Sequence, residues 1–328
     1  MSKQIGLFGY GCVAQGFVEG LTRNPLLPAE VRTICVKDPV KPRTGYEGAF
    51  TTDPDQILND PEIDIVIELI DDHLAAFEIA TKALSGGKSL ISANKRMVAE
   101  HLAELREIED QSGSTLLYEG AVAGSIPILH SLQQFFRPQT IQRLRGILNG
   151  STNYILTKMN QSFQSFEETL AEAQSLGFVE RDPTLDISGK DAAYKASILA
   201  YHAFGKIIEP SEIVTEGIHD IEPALILESR KVGLKLKLVA DLWMEKGHVQ
   251  GRVQPQLISE DDPLYNIDDE YNGICVEGDL SGPQTYIGKG AGCTPTGSAV
   301  LNDLCLILDG FRYSSNQHQQ DQILKKSA

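Results

Sequence analysis

Gln4 to Gly16 reads QIGLFGYGCVAQG. The first five residues, to Phe8, form a short apolar run of the kind that makes a buried strand. Gly9, Gly11 and Ala14 then fit the G-x-G-x-x-G/A spacing, and an amphipathic stretch runs on to about Arg23. Each position has a physical reason. Gly9 permits the tight turn, Gly11 lets a pyrophosphate approach the backbone, and a small residue at 14 lets helix pack closely on strand. The helix N-terminus then offers its unpaired N–H groups to phosphate. A glycine-rich turn alone is weak evidence, but a strand before it and a helix after it strengthen the reading.

The stretches that follow repeat the alternation. Val31–Val36, Ile63–Ile70, Ser89–Ser92 and Thr115–Glu119 read as strands; Leu74–Leu84 and Val98–Gln111 read as helices, the first ending at Gly86-Gly87. Strand and helix in turn imply an α/β fold, a doubly wound parallel sheet of Rossmann type. Lys95 comes just past the carboxyl end of Ser89–Ser92, where such sheets bind their ligands, although most loop lysines are only surface charges. At the end of Val31–Val36, Lys37 and Arg43 would receive a ribose 2′-phosphate, whereas Asp38 would bind a 2′-hydroxyl. The balance leans slightly to NADP or to use of both nicotinamide dinucleotides.

From about His130 the pattern changes. Arg143–Leu148 reads as a strand, and the polar turn Asn149–Tyr154 opens a helix through Met159. Ser165 with Glu168 makes a capping-box signature for a helix to Gln174. Beyond Gly205 the segments Val214–Ile218, Leu236–Met244, His248–Gln256, Ile274–Gly278 and Thr285–Ile287 imply a second sheet, antiparallel or mixed. An apolar helix at about 296–310 and a polar tail from 314 close the chain. The expected organisation is a dinucleotide-binding domain over 1–130 to which the helix at 296–310 returns, and a second α+β domain with a mixed sheet over 131–295.

Leu176 to Ala200 reads LGFVERDPTLDISGKDAAYKASILA. Gly and Pro make its first half a loop, carrying Glu180, Asp182 and Asp186. The second half, Lys190 to Phe204, is a helix stopped by Gly205. Asp191 and Lys195 lie four residues apart and share one face, amid alanines and aliphatic residues that imply burial. Most such pairs sit on solvated faces and contribute about 0.3–0.5 kcal/mol. At low dielectric the same pair becomes a candidate for proton transfer.

Composition narrows the class. A net charge of −16 over 328 residues argues against nucleic acid and anionic lipid as partners. The five cysteines, Cys12, Cys35, Cys275, Cys293 and Cys305, contain no CxxC, so neither a disulfide framework nor a zinc site is expected. With no leader-like N-terminus and no long apolar run, a reducing, cytoplasmic setting is expected. The Gly288–Gly292 loop is not a phosphate-binding Walker loop, because no Gly-Lys-Ser/Thr closes it.

Six segments, in order, give the chain a resemblance to homoserine dehydrogenase along nearly its whole length. They are GYGCVAQG (Gly9–Gly16), SANK (Ser92–Lys95), EGAVAGSIP (Glu119–Pro127), GILNGSTNYIL (Gly146–Leu156), LGFVERDPTLDISGKDAAYK (Leu176–Lys195) and GKGAGCTPTGSAVLND (Gly288–Asp303). The resemblance implies NAD(P)-dependent interconversion of L-homoserine and L-aspartate 4-semialdehyde, in threonine and methionine biosynthesis. It implies Lys195 as proton donor and acceptor at the C4 oxygen, Lys95 beside that oxygen, and Asp191 in the catalytic set. Glu180, Asp186 and Asp191 would hold the substrate, Glu180 by its α-ammonium. Gly9, Gly11, Cys12, Val13, Ala14, Lys37, Ser92, Ala93, Lys95, Gly177, Glu180 and Gly290 would line the cofactor. Backbone oxygens at Glu119, Val122, Gly124 and Ile126 would bind a monovalent cation, usually sodium. The resemblance also implies a homodimer, and the form without a C-terminal regulatory domain.

Two departures stand out. Asp71-Asp72 occupies the place where the family often has Gly-Gly, and Ala14 that of a common glycine. The alternatives are an aspartate-type dehydrogenase, separable by activity on homoserine against aspartate, and a non-catalytic NAD(P) sensor. The sensor would have no use for Lys95, Glu180, Asp191 and Lys195 together.

Overall fold

The computed structural model describes residues 2–162, 164–179 and 181–314. It divides into two compact units, one of residues 1–127 with 291–314 and one built on 128–290. The polar tail from 315 lies outside the described residues.

The first unit begins with β1 (Lys3–Phe8), α1 (Cys12–Thr22), β2 (Ala29–Cys35), β3 (Ala49–Thr51), α2 (Asp55–Leu58) and β4 (Ile65–Glu68). It continues with α3 (His73–Ser85), β5 (Ser89–Ser92), α4 (Lys95–Ser112) and β6 (Leu116–Leu117). The sheet order is β3-β2-β1-β4-β5-β6, with every pairing parallel. The order reverses beside β1, which places the glycine turn at the crevice where doubly wound sheets bind ligands. The strands are buried on both faces, and Ile5, Leu7, Ile34, Ile65, Ile67 and Ile91 meet Phe17 of α1 in one core. Each such side chain contributes about 1.5–3 kcal/mol by leaving water.

The second unit comprises α5 (Ile128–Gln134), β7 (Ile141–Ile147), α6 (Gly150–Ser162), α7 (Phe166–Ser175), α8 (Thr184–Ile187) and α9 (Lys190–Phe204). After these come β8 (Val214–Thr215), α10 (Pro223–Lys231), β9 (Lys235–Glu245), β10 (His248–Ile258), β11 (Tyr271–Gly278) and β12 (Gly282–Lys289). Its sheet, β12-β11-β7-β9-β10-β8, is mixed: β8 runs parallel to β10 and the other pairs are antiparallel. The Ser165 capping box forms, with Glu168 N donating to Ser165 Oγ at 3.2 Å and Ser165 N to Glu168 Oε2 at 2.9 Å. Such a cap stabilises the helix by about 1 kcal/mol.

The chain then returns to the first unit as α11 (Cys293–Leu308), whose Val300 and Leu304 enter the core beside α1. The helices cross closely at two glycines. A Cβ on Gly16 would stand 2.2 Å from Cys293 O, and one on Gly297 would stand 2.6 Å from Gly16 C. Cys12 and Cys293 are joined by a disulfide, which corrects the reading of the cysteines as unpaired. They are 281 residues apart, so no local spacing announced the bond. Cys35, Cys275 and Cys305 are free. Among the described residues, no helix is long and apolar enough to cross a membrane.

Candidate functional site

In the second unit α9 presents the pair singled out by spacing. Lys195 Nζ donates to Asp191 Oδ2 at 2.7 Å and to Leu148 O at 2.8 Å. Asp191 is 2% exposed and Lys195 8%. The helix buries nearly its whole circumference, with Ala192, Ala193, Ala196, Ile198 and Leu199 around the pair, so these charges face little solvent. Two charges taken out of water cost several kcal/mol unless each finds partners, and here both do.

The partner that completes the cluster is Asn149, which follows β7. Its Nδ2 donates to Asp191 Oδ2 and to Asp186 Oδ1, each at 2.8 Å, committing both amide hydrogens. Its Oδ1 accepts from Thr152 N at 2.8 Å, which fixes the amide's orientation. Three segments distant in sequence thus converge: the end of β7, the four-residue α8 and the first turns of α9. The sequence marked Asn149 only as part of a polar turn. The available signal was an asparagine standing directly after an apolar strand and within a family-matching segment.

The other substrate-side residues are placed unevenly. Glu180 lies outside the described residues. Gly177, at φ +77°, ends α7, and Ser151 Oγ donates to Phe178 O at 2.8 Å, tying the following loop to α6. Gly290 is glycine for a local reason: a Cβ there would stand 2.1 Å from Asn272 Nδ2.

In the first unit the glycine loop is shaped as a phosphate cradle. Gly9 sits at φ +87°, and a Cβ there would meet Leu69 O at 2.6 Å. Gly11 caps α1, and a Cβ there would meet nothing within 4 Å, leaving open space beside the N–H groups of Cys12 and Val13. No acidic side chain stands in the first turn of α1, so an anion meets no competitor there. Ala14 is fully buried against the strands. These residues fit a dinucleotide.

At the neighbouring strand ends a buried carboxylate holds two loops. Glu68, fully buried, accepts from Ile70 N at 2.7 Å and from Ser92 Oγ at 2.5 Å. Ser92 Oγ in turn accepts from Asn94 N at 3.0 Å, and Asn94 caps α4 by accepting from Met97 N at 3.0 Å. Lys95 is the first residue of that helix, directly after Ala93-Asn94. Burial pushes the Glu68 carboxyl up to about 7, against the hydrogen bonds from Ser92 and Ile70. A lone acid inside the apolar run IVIELI was the sequence signal for this residue.

Where the two dinucleotides would be told apart, Lys37 pairs with Asp72 at 3.5 Å, and 79% of its side chain is exposed. Asp38 Oδ1 accepts from Val40 N at 2.9 Å, and Arg43 donates to the Asp38 backbone oxygen. Asp72 is the N-cap of α3: the Ala75 and Leu74 N–H groups at 3.1 Å, with Lys37 beside them, hold its carboxyl below the usual range.

The predicted cation ligands lie in the turn after β6. Glu119, Val122 and Ile126 are buried, and Gly124 takes φ +55°. Glu119 N donates to Asp303 Oδ2 at 2.9 Å, while Asp303 Oδ1 is buried with no hydrogen-bond partner among the described residues. Burial, then the Glu119 charge, pushes the Asp303 carboxyl well up. Buried carboxyl oxygens at this turn suit a hard cation. No group of three or more His, Cys, Asp or Glu side chains with metal-holding geometry occurs among the described residues.

Comparison with known proteins is consistent over both units. Residues 127–305 match the family model for homoserine dehydrogenase, and residues 9–119 match that for the homoserine dehydrogenase NAD-binding domain. The chain is 39% identical to the homoserine dehydrogenase of Synechocystis sp. over 97% of its own length and 76% of the relative's. It is 38% identical to that of Corynebacterium glutamicum, over 92% and 70%. The crystal structure of a homoserine dehydrogenase from Thiobacillus denitrificans superposes with a TM-score of 0.90 at 36% identity, covering 93% of this chain and 72% of that one. A hyperthermophilic archaeal homoserine dehydrogenase in complex with NADPH gives 0.81 at 26% identity, covering 95% and 99%.

Proposed function

The chain belongs to the homoserine dehydrogenase family and is an NAD(P)-dependent oxidoreductase that interconverts L-homoserine and L-aspartate 4-semialdehyde; for that reaction we propose Lys195 as the acid and base. A bound nicotinamide cofactor supplies or takes the hydride. As hydride reaches the aldehyde carbon, negative charge grows on the oxygen, and the Lys195 ammonium both stabilises it and delivers the proton. In the oxidative direction the amine takes the proton back. Asp191 and Leu148 O hold the nitrogen in position, and Asn149 keeps Asp191 in place. Lys95 is proposed as a second cation stabilising the developing alkoxide. Glu180, Asp186 and Asp191 are proposed to bind the substrate, Glu180 through its α-ammonium.

The carrying observation is the buried, doubly held Lys195 ammonium. Lys195→Ala should lower turnover by about 100- to 10,000-fold, with cofactor affinity retained. Unchanged turnover would reject the role.

The cofactor reading leans to NADP, because Lys37 and Arg43 flank the strand end where a 2′-phosphate would sit. The Glu119–Ile126 turn is proposed to hold sodium through backbone oxygens; replacing sodium by choline should lower the melting temperature. A homodimer is proposed through the sheet face where Gln142, Arg143, Trp243, Met244 and Arg252 line a hollow of about 350 Å³. Sedimentation of the native chain tests it. The pathway is proposed to be threonine and methionine synthesis, in the cytoplasm, where the nicotinamide pools lie.

A further inference from the structure

The Cys12–Cys293 disulfide is set unlike a structural staple. Cys12 is the first residue of α1 and Cys293 the first residue of α11, so both sulfurs stand at helix N-termini. Both residues are exposed. A helix N-terminus favours negative charge, so each sulfur released on reduction is favoured as thiolate. A disulfide whose leaving sulfurs are stabilised in this way exchanges readily. The bond is also not needed to hold the helices together, because α1 and α11 already cross at Gly16 and Gly297 and share Phe17, Val300 and Leu304 in the core.

The bond sits at the N-terminal end of α1, next to Gly11, where a Cβ would meet only open space. A Cys12 thiolate and a dinucleotide pyrophosphate therefore compete for the same donors. We propose that Cys12–Cys293 is a reversible thiol–disulfide site for small-molecule thiols, and that its redox state sets the affinity of the glycine loop for dinucleotide. The proposal rests on the reading of Gly9–Ala14 as the dinucleotide loop. The exchange balances simply. A reagent thiolate attacks one sulfur, the Cys12–Cys293 bond breaks and a mixed disulfide forms. A second reagent thiol then displaces it, leaving two protein thiols and one reagent disulfide. Two electrons pass from the reagent thiols to the protein. The disulfide form carries no charge at the loop and binds dinucleotide more tightly; by linkage, dinucleotide makes the bond harder to reduce.

The test equilibrates the full chain in glutathione buffers of graded redox ratio and counts its thiols after denaturation. Calorimetry then measures NADP+ and NAD+ affinity of the two end forms, alongside Cys293→Ser. Thiols should rise from the three of Cys35, Cys275 and Cys305 to all five cysteines of the chain. The oxidised form should bind dinucleotide about three- to fivefold more tightly, the size of one charge interaction at a helix end. NADP+ should move the glutathione midpoint toward more reducing ratios by the same factor, and Cys293→Ser, kept reduced and free of glutathione, should bind with the affinity of the reduced form. Five thiols under oxidising buffer, or equal affinity in both forms, would overturn the proposal. Binding by neither form would instead remove the loop's assigned role, and the switch with it.

Discussion

Asn149 Nδ2 and Lys195 Nζ converge on one oxygen, Asp191 Oδ2, at 2.8 and 2.7 Å. One carboxylate oxygen thus couples Lys195, the proposed general acid, to the amide that also grips Asp186 at 2.8 Å. Replacing Asn149 by Ala frees both carboxylates to move. Steady-state kinetics should show kcat/KM for homoserine falling about a hundredfold, with the cofactor KM unchanged. Unaltered kinetics would reduce Asn149 to scaffold.

The same burial predicts a stability pattern. Lys195→Met removes the ion-pair partner of a buried carboxylate and Asp191→Leu that of a buried ammonium, each costing about 3–5 kcal/mol. The double variant buries neither charge. Urea unfolding should find it more stable than either single variant, and additive losses would refute the coupling.

Glu68 predicts how stability depends on pH. Its carboxyl is raised in the folded protein from 4.5 to about 7, chiefly by burial. Between those values the folded state holds a proton that the unfolded state has lost, so stability falls as pH rises through the window and levels off above it. The loss is on the order of 3 kcal/mol. Glu68→Gln should flatten this part of the profile in denaturant titrations from pH 4 to 8; an unchanged slope would assign the dependence to other groups.

Lys37 bears on the choice of dinucleotide. Removing its charge in Lys37→Ala should raise the KM for NADP about tenfold, the worth of one hydrogen bond to a charged group, and leave NAD nearly untouched. Equal effects on both would place Lys37 away from the 2′ position.

Legibility in the sequence followed the range of the interaction. The parallel sheet was readable because a glycine turn and apolar runs are local signals. Lys190–Phe204 was read to the residue, since Gly189 and Gly205 both adopt positive φ at its ends. The mixed second sheet was readable as a list of strands, but its order was not. The three-residue β3, the four-residue α2 and α8, and α5 and α10 went unread; the shortest span too few residues to show a period. Asp191 and Lys195 showed themselves by a four-residue spacing. Asn149 did not, because its partners lie 37 and 42 residues away. The disulfide was hidden for the same reason, at 281.

The return of α11 to the first unit has a consequence for biosynthesis. The face of α1 that carries Gly16 and Phe17 is translated early, but the helix that covers it leaves the ribosome only after all of 128–290 has been made. The nascent sheet waits with that apolar flank bare, open to chaperones or to a neighbouring nascent chain. The unit that appears first is therefore finished last.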